Sequence, residues 1–298
     1  MGQPNPPEQA IFVVEPTSTH SHSIIFLHGL SSNGEKFGTE FLETGKTSTG
    51  KKLPQLLPGT RWIFPTAKRG RSTAFRRSVL TQWFDVARLP DPEYRRETQL
   101  RGLSESTSAI REILSQEMSK VPPENIIIGG LSQGCAMSLA ILLGLEHRLG
   151  GYIGMSGYLP FRSEIEDAVK ETEGTEEVDE DDPFATGGDD DGSDTEPESP
   201  EVRALSFVRD LVGLEPLSNP TRETTASLTP VFLGHGEVDD KRPVKQGEAA
   251  AKTLQTAGYE VQWKAYPDLG HWYKIPDEID DIVEFIRSRV GWPIKDDD

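Results

Sequence analysis

The chain carries the stretch NIIIGGLSQGCAMSLAILLGL at residues 125–145. It begins with a β-branched apolar run, passes through the motif G-x-S-x-G at 130–134, and continues as a segment that is apolar nearly all round. A short apolar run before a turn is typical of a buried strand, and an apolar segment after the turn is typical of a buried helix. This strand–turn–helix order predicts a nucleophile elbow, a sharp turn that presents the hydroxyl of Ser132.

The motif alone is a modest signal, because glycine and serine are common residues. Its alternative interpretation is a glycine-rich turn that holds an ordinary serine. In an elbow, small residues two positions either side of the serine let strand and helix pack closely. The elbow is favoured because the chain also contains a candidate base and a candidate acid for Ser132, as described below.

The rest of the chain alternates short apolar runs with helical patterns, which predicts the α/β class, a mostly parallel sheet flanked by helices. Helices are expected at 100–114, 204–214, 244–257 and 277–290, where apolar residues recur at steps of three and four. Together with the elbow, this pattern indicates the α/β-hydrolase fold. The candidate strands are 10–14, 23–27, 61–64, 125–128, 152–155, 230–233 and 261–266.

A serine hydroxyl needs a base to remove its proton and an acid to orient that base. In this fold the chain order is serine, acid, histidine. Of the histidines after Ser132, His271 follows the last candidate strand, whereas His235 precedes the acids and is expected to be structural. The acid should follow the strand at 230–233, where Asp239 is the first choice. Asp240 is the reserve and Glu237 a weaker candidate, since spacing alone does not separate the two aspartates.

Acyl transfer also needs N–H donors for the negative charge that develops on the carbonyl oxygen when its carbon is attacked. One donor should be the backbone N–H of Gln133, the residue after the serine. The strand at 23–27 runs into His28, Gly29 and Leu30, so we expect the second donor to be the N–H of Leu30. His28 precedes the serine and is assigned to holding this loop in shape.

The net charge of −18 belongs mainly to one segment. Residues 164–201 hold 18 of the 49 acidic residues and one of the 31 basic ones, which leaves 31 acids and 30 bases elsewhere. A stretch with so few apolar residues cannot offset the entropy of ordering itself. We therefore expect one α/β-hydrolase domain over 1–298, interrupted by a disordered acidic insert at 163–201. The insert is either a free solvated segment or a salt-sensitive cover that folds back on the basic run at 68–77.

Several classes of partner and location are disfavoured by composition. No apolar stretch approaches the roughly 20 residues that a membrane helix needs. The near-neutral body lacks the coherent basic face that nucleic acid requires. A single cysteine, Cys135, fits a reducing compartment, so a cytoplasmic location is expected. The histidines are scattered and no ligand cluster appears, so neither a metal nor an organic cofactor is expected.

With these pieces assembled, the sequence resembles the acyl-protein thioesterase, lysophospholipase and carboxylesterase family of α/β hydrolases. The motifs that carry the resemblance are FLHGL at 26–30, WFD at 83–85, GLSQG at 130–134, SGYLP at 156–160, HGEVD at 235–239 and GH at 270–271. They run in family order over most of 23–290, apart from the insert. The run DKRPV at 240–244 departs from the shorter family pattern after the acid.

The resemblance implies particular roles for some residues. It supports Asp239 over Asp240, implies that Leu30 and Gln133 donate to the oxyanion, and places Trp83 near the acyl-binding channel, with plain core packing as the alternative. It implies a Ser-His-Asp hydrolase whose substrate is an acylated protein or a lipid ester, or else a small ester. A rival from another class is a non-catalytic protein that binds a basic partner through the acidic insert.

Overall fold

The computed structural model describes residues 10–170 and 198–295. Within these residues, seven strands form one sheet and two short strands form a separate hairpin. The strands of the sheet are β1 (Ile11–Val14), β2 (His22–Leu27), β3 (Thr60–Pro65), β6 (Ile126–Leu131), β7 (Gly151–Met155), β8 (Val231–Gly236) and β9 (Val261–Tyr266), and the hairpin consists of β4 (Arg69–Arg71) and β5 (Val79–Thr81). The sheet has the order β1-β3-β2-β6-β7-β8-β9.

The sheet is parallel throughout except at β1, which pairs with β3 in the antiparallel direction. All seven candidate segments become its strands, and no end shifts by more than three residues. Strand β6 is buried along its whole length because it lies mid-sheet and is covered on both faces. The predicted mostly parallel sheet is confirmed.

Helices cover both faces of the sheet. Alternate residues of β2 point to opposite sides, so Ile25 and Leu27 join one core cluster and Ile24 and Phe26 join the other. The α-helices of the described residues are α1 (Gly34–Thr44), α2 (Leu53–Leu56), α3 (Leu100–Met118), α4 (Gln133–Leu143), α5 (Arg162–Lys170), α6 (Pro200–Val212), α7 (Val244–Thr256) and α8 (Asp277–Phe285). The first cluster lies under α3 to α7 and the second under α1, α2 and α8.

The ends of the expected insert at 163–201 belong to regular structure, which corrects its boundaries. Residues 163–170 lie in α5, and residues 200–201 begin α6. Ile165 and Val169 are four positions apart, so one face of this charged segment is apolar and buried. The guanidinium of Arg203 on α6 donates to the carbonyl of Val169 at 2.6 Å, which joins the two helices. The remaining residues of the expected insert, 171–197, lie outside the described residues. The expected contact between the insert and the basic run at 68–77 therefore also lies outside them.

Candidate active site

The turn at Ser132 has the geometry of an elbow. Ser132 joins β6 to α4 with φ 58° and ψ −118°, a positive φ that few residues other than glycine adopt. A Cβ on Gly130 would lie 2.4 Å from the carbonyl oxygen of Leu27, and one on Gly134 would lie 2.0 Å from the same atom. Both positions are therefore restricted to glycine by the close approach of β2.

Three side chains from distant parts of the chain meet at this turn. The Oγ of Ser132 lies 2.7 Å from Nε2 of His271. On the other side of the ring, Nδ1 of His271 lies 2.7 Å from Oδ2 of Asp239. When Nδ1 donates to the carboxylate, Nε2 is left as the acceptor that faces the serine hydroxyl. The arrangement can therefore take a proton from Ser132 and stabilise the resulting imidazolium.

Asp239 is held as a carboxylate by the donors around it. Its Oδ1 accepts from the backbone N–H groups of Lys241 and Arg242, at 2.9 and 2.8 Å. Its Oδ2 lies 3.3 Å from Nε2 of His235 in addition to the contact with His271. Burial alone would raise the pKa of Asp239, but the hydrogen bonds from His235, His271 and Arg242 outweigh it and hold the pKa well below its usual range.

The three candidate acids differ in burial and in their contact with His271. Asp239 is 6% exposed and touches His271, whereas Asp240 and Glu237 are exposed. The imidazole of His235 is fully buried, and its Nε2 contacts the carbonyl oxygen of Arg242 at 2.8 Å. His235 therefore contacts the acid rather than the serine, a role that its position upstream of the acid could not reveal.

The loop after β2 lies against the elbow. A Cβ on Gly29 would lie 3.4 Å from Cβ of Ser132. His28 fixes this loop, because its Nδ1 donates to the carbonyl oxygen of Gly29 at 2.7 Å and its Nε2 accepts from the N–H of Ala67 at 3.0 Å. Burial lowers the pKa of His28 to about 4, so the ring is neutral, as this pair of bonds requires.

The two expected oxyanion donors belong to the start of α4 and to the loop after β2. Gln133 is the first residue of α4, where backbone N–H groups lack partners within the helix. Leu30 follows Gly29 in the loop just described. Within residues 10–170 and 198–295, neither N–H forms a backbone hydrogen bond outside regular structure. The donation of these two N–H groups to a bound carbonyl oxygen stays a prediction.

Trp83 lies in the core rather than on the surface, at 2% exposure. Its indole N–H donates to the carbonyl oxygen of His28 at 2.8 Å, and its backbone N–H donates to Oε1 of Gln133 at 3.1 Å. The amide nitrogen of Gln133 in turn donates to the carbonyl oxygen of Phe84 at 2.7 Å. This position matches the core-packing alternative for Trp83, and a contact with the acyl chain stays a prediction.

We expect Gln133→Ala to lower the free energy of unfolding by about 2–4 kcal/mol, because it leaves the buried N–H of Trp83 and carbonyl of Phe84 without partners. Urea denaturation measures the loss. Gln116→Ala is the matched control, since Gln116 is an exposed helical glutamine and such changes stay within about 0.5 kcal/mol. Equal stabilities for the two variants would contradict the proposed cross-link between Gln133 and residues 83–84.

A buried acid lies behind the segment that carries His271. Glu278, in the first turn of α8, is fully buried and its Oε2 accepts from the N–H of Lys274 at 2.8 Å. Burial, aided by the nearby charge of Asp281, outweighs the Lys274 hydrogen bond and raises the pKa of Glu278 to about 8.

This raised pKa predicts a loss of stability as pH increases. Between the unfolded pKa of about 4.3 and the folded value the native state binds more protons, so stability falls by at most about 1.4 kcal/mol per pH unit. We expect Glu278→Gln to flatten that fall in urea denaturation at pH values across this window. Glu284→Gln, on the exposed side of the same helix, should keep the wild-type slope. The same slope in Glu278→Gln would contradict the prediction.

Two further searches cover the described residues alone. No group of three or more His, Cys, Asp or Glu side chains has metal-site geometry among them. None of their helices is both long and apolar enough to cross a membrane.

Comparison with known families gives two matches. A model described as phospholipase/carboxylesterase matches residues 8–178, which is more than half of the chain. A second model, described as the prolyl oligopeptidase family, matches residues 203–291. The two models together span both sides of the segment at 171–197.

Individual relatives extend over nearly the whole chain. Acyl-protein thioesterase 1 of Gibberella zeae is 26% identical over 94% of this chain and 96% of its own length. The crystal structure of Arabidopsis thaliana SOBER1 is 26% identical with a TM-score of 0.62, covering 91% of this chain and 99% of that one. The crystal structure of Zea mays acyl-protein thioesterase 2, at 24% identity, TM-score 0.64 and 95% and 99% coverage, matches the fold.

Proposed function

Since this chain belongs to the phospholipase/carboxylesterase family of α/β hydrolases, serine hydrolases that act on ester or thioester bonds, we propose that Ser132, His271 and Asp239 perform its reaction. The observation that carries the proposal is the unbroken line of contacts from Oγ of Ser132 through the imidazole to Oδ2 of Asp239, with 2.7 Å at each step. This is the arrangement of nucleophile, base and orienting acid that acyl transfer requires.

The reaction proceeds in two steps. Oγ of Ser132 attacks the carbonyl carbon while Nε2 of His271 takes the hydroxyl proton, and the carbonyl oxygen becomes an oxyanion. The N–H groups of Leu30 and Gln133 hold that oxyanion, a contribution of about 2.7–4 kcal/mol per donor in comparable sites. His271 then returns the proton to the leaving thiolate or alkoxide, which departs and leaves an acyl ester on Ser132.

Water completes the cycle by the same groups in reverse. His271 takes a proton from water, the hydroxide attacks the acyl ester, and the proton returns to Oγ of Ser132 as the carboxylic acid leaves. Asp239 stays ionised throughout, because the depressed pKa of its carboxyl keeps it unprotonated at neutral pH. The carboxylate therefore faces the imidazolium in both tetrahedral intermediates and stabilises it.

The substrate that we propose is the thioester of a fatty acylated protein, with lysophospholipid as a related substrate. Support comes from the fungal acyl-protein thioesterase 1, which aligns with almost the entire chain. One oxyanion hole serves thioesters and oxygen esters alike, so the choice between them depends on the acyl site. The buried single cysteine, Cys135, is consistent with the cytoplasmic location that we propose for this activity.

A series of acyl thioesters and oxygen esters from acetyl to palmitoyl tests the proposal. Wild-type protein and Ser132→Ala are compared at each chain length by kcat/KM. Rates that rise with chain length and favour thioesters, including a palmitoylated peptide, support a protein thioesterase. Rates that peak at acetyl esters indicate a small-ester carboxylesterase instead, and the absence of turnover on every substrate rejects hydrolysis.

A further inference from the structure

The loop between β8 and α7 carries the acid and is exposed along most of its length. Among residues 237–243, all of which the structure describes, Asp239 and Arg242 are the two that are buried, at 6% and 4% exposure. The neighbouring Val238, by contrast, is 60% exposed. The loop thus has two inward-facing side chains, and Arg242 is the one that does not belong to the reacting groups.

The guanidinium of Arg242 joins this loop to two other loops of the chain. It donates a hydrogen bond to the carbonyl oxygen of Leu89. Its central carbon also lies 4.4 Å from the centre of the Tyr158 ring, over the aromatic face. Within residues 10–170 and 198–295, it forms no salt bridge with a carboxylate. A buried cation is costly to desolvate, so these contacts, a carbonyl dipole and a π face, are what retain it there.

The backbone of the same residue contacts the acid and its buried neighbour. The N–H of Arg242 donates to Oδ1 of Asp239 at 2.8 Å, and its carbonyl oxygen lies 2.8 Å from Nε2 of His235. Any displacement of Arg242 therefore shifts two groups that bind the carboxylate of Asp239. The side chain of Arg242 thus holds the residue against Leu89 and Tyr158, and its backbone N–H holds the carboxylate of Asp239.

We propose that Arg242 is a positioning residue that holds Asp239 in line with His271 by anchoring the acid's loop to Leu89 and Tyr158. The residue lies in the run DKRPV at 240–244, directly after the acid. The proposal rests on the hydrolytic function proposed above, since it concerns the orientation of the acid in that reaction.

The test is a double-mutant cycle in the full chain. Arg242→Met keeps the aliphatic stem and removes the guanidinium, and we expect kcat for an acyl thioester to fall about 10–100-fold with KM unchanged, because small misplacements of reacting groups cost about that much. In the Asp239→Asn background the same change should have little further effect, because the group that it positions has lost its function. Arg242→Lys, which keeps the charge, should recover part of the rate.

Lys245→Met is the matched control, because it removes an exposed positive charge one turn further on, and it should keep wild-type kinetics. An effect of Arg242→Met that is equally large in the Asp239→Asn background indicates a general structural role and overturns the proposal, as does wild-type activity in Arg242→Met. If Arg242→Met does not fold, Arg242→Lys carries the same cycle. Wild-type protein that hydrolyses nothing rejects the proposed function itself, a result distinct from either of these.

Discussion

Ser132→Ala is expected to lower kcat by about 10⁶-fold and to abolish labelling by a fluorophosphonate probe. The variant leaves His271, Asp239 and the proposed oxyanion donors in place, but no hydroxyl remains to form the proposed acyl-enzyme. The residual rate should come from oxyanion stabilisation and substrate binding alone, which in comparable enzymes leave about 10³–10⁴-fold over water.

Ser288→Ala, which changes an exposed serine in the π-helical turn that follows α8, is the control and should label as the wild-type protein does. Labelling that persists in Ser132→Ala would show that another residue is the nucleophile. Cys135, three positions along the chain, is a poor substitute because it is fully buried and burial raises the pKa of its thiol to about 12.

Asp239→Asn is expected to lower kcat by about 10⁴-fold, the cost seen when the acid of such a triad becomes an amide. An amide that donates to His271 favours the wrong tautomer, with the proton on Nε2 where the hydroxyl of Ser132 must be received. The loss should appear in kcat rather than KM, since the carboxylate contacts the base and not the substrate.

Asp240→Asn provides a matched control for this prediction. The two aspartates are adjacent in sequence and carry the same charge, but Asp240 is exposed while Asp239 is buried against His271. We expect Asp240→Asn to retain wild-type kcat. The reverse pattern, with the larger loss in Asp240→Asn, would reject the assignment of the acid and with it the proposed mechanism.

The elements that the sequence predicted best are those whose local composition indicates their structure. Six strands of the sheet contain an apolar run, β9 alternates apolar with polar residues, and the elbow combines a motif with a strand before it and a helix after it. The hairpin of β4 and β5 gave no such signal, because each arm has three residues and one arm is Arg-Gly-Arg. Helix α5 was not predicted because most of its residues are charged or polar. Its packing depends on two apolar residues alone, Ile165 and Val169.

Within the site, chain order suggested which groups to expect, but not how they are held. Adjacent aspartates cannot be separated by spacing, because the shape of the loop determines which of them points inward. Arg242 follows a lysine, and this local sequence is typical of an exposed loop. Its burial depends on Tyr158, a residue that is distant in sequence and that only the folded chain brings into contact with it. Glu278 likewise belongs to an acidic helix start that composition assigns to solvent.

The junction of α5 and α6 has a further consequence for how the polypeptide can be divided. Arg203 reaches the carbonyls of both Val169 and Glu198, so the residues on either side of 171–197 are bonded through one side chain. Ser132 lies before residues 171–197, whereas Asp239 and His271 lie after them. A cut in the chain between 170 and 198 would therefore produce two fragments, neither of which holds all three residues. The strands of both fragments belong to one sheet, so association of the fragments through that sheet would bring the three residues together without a covalent link.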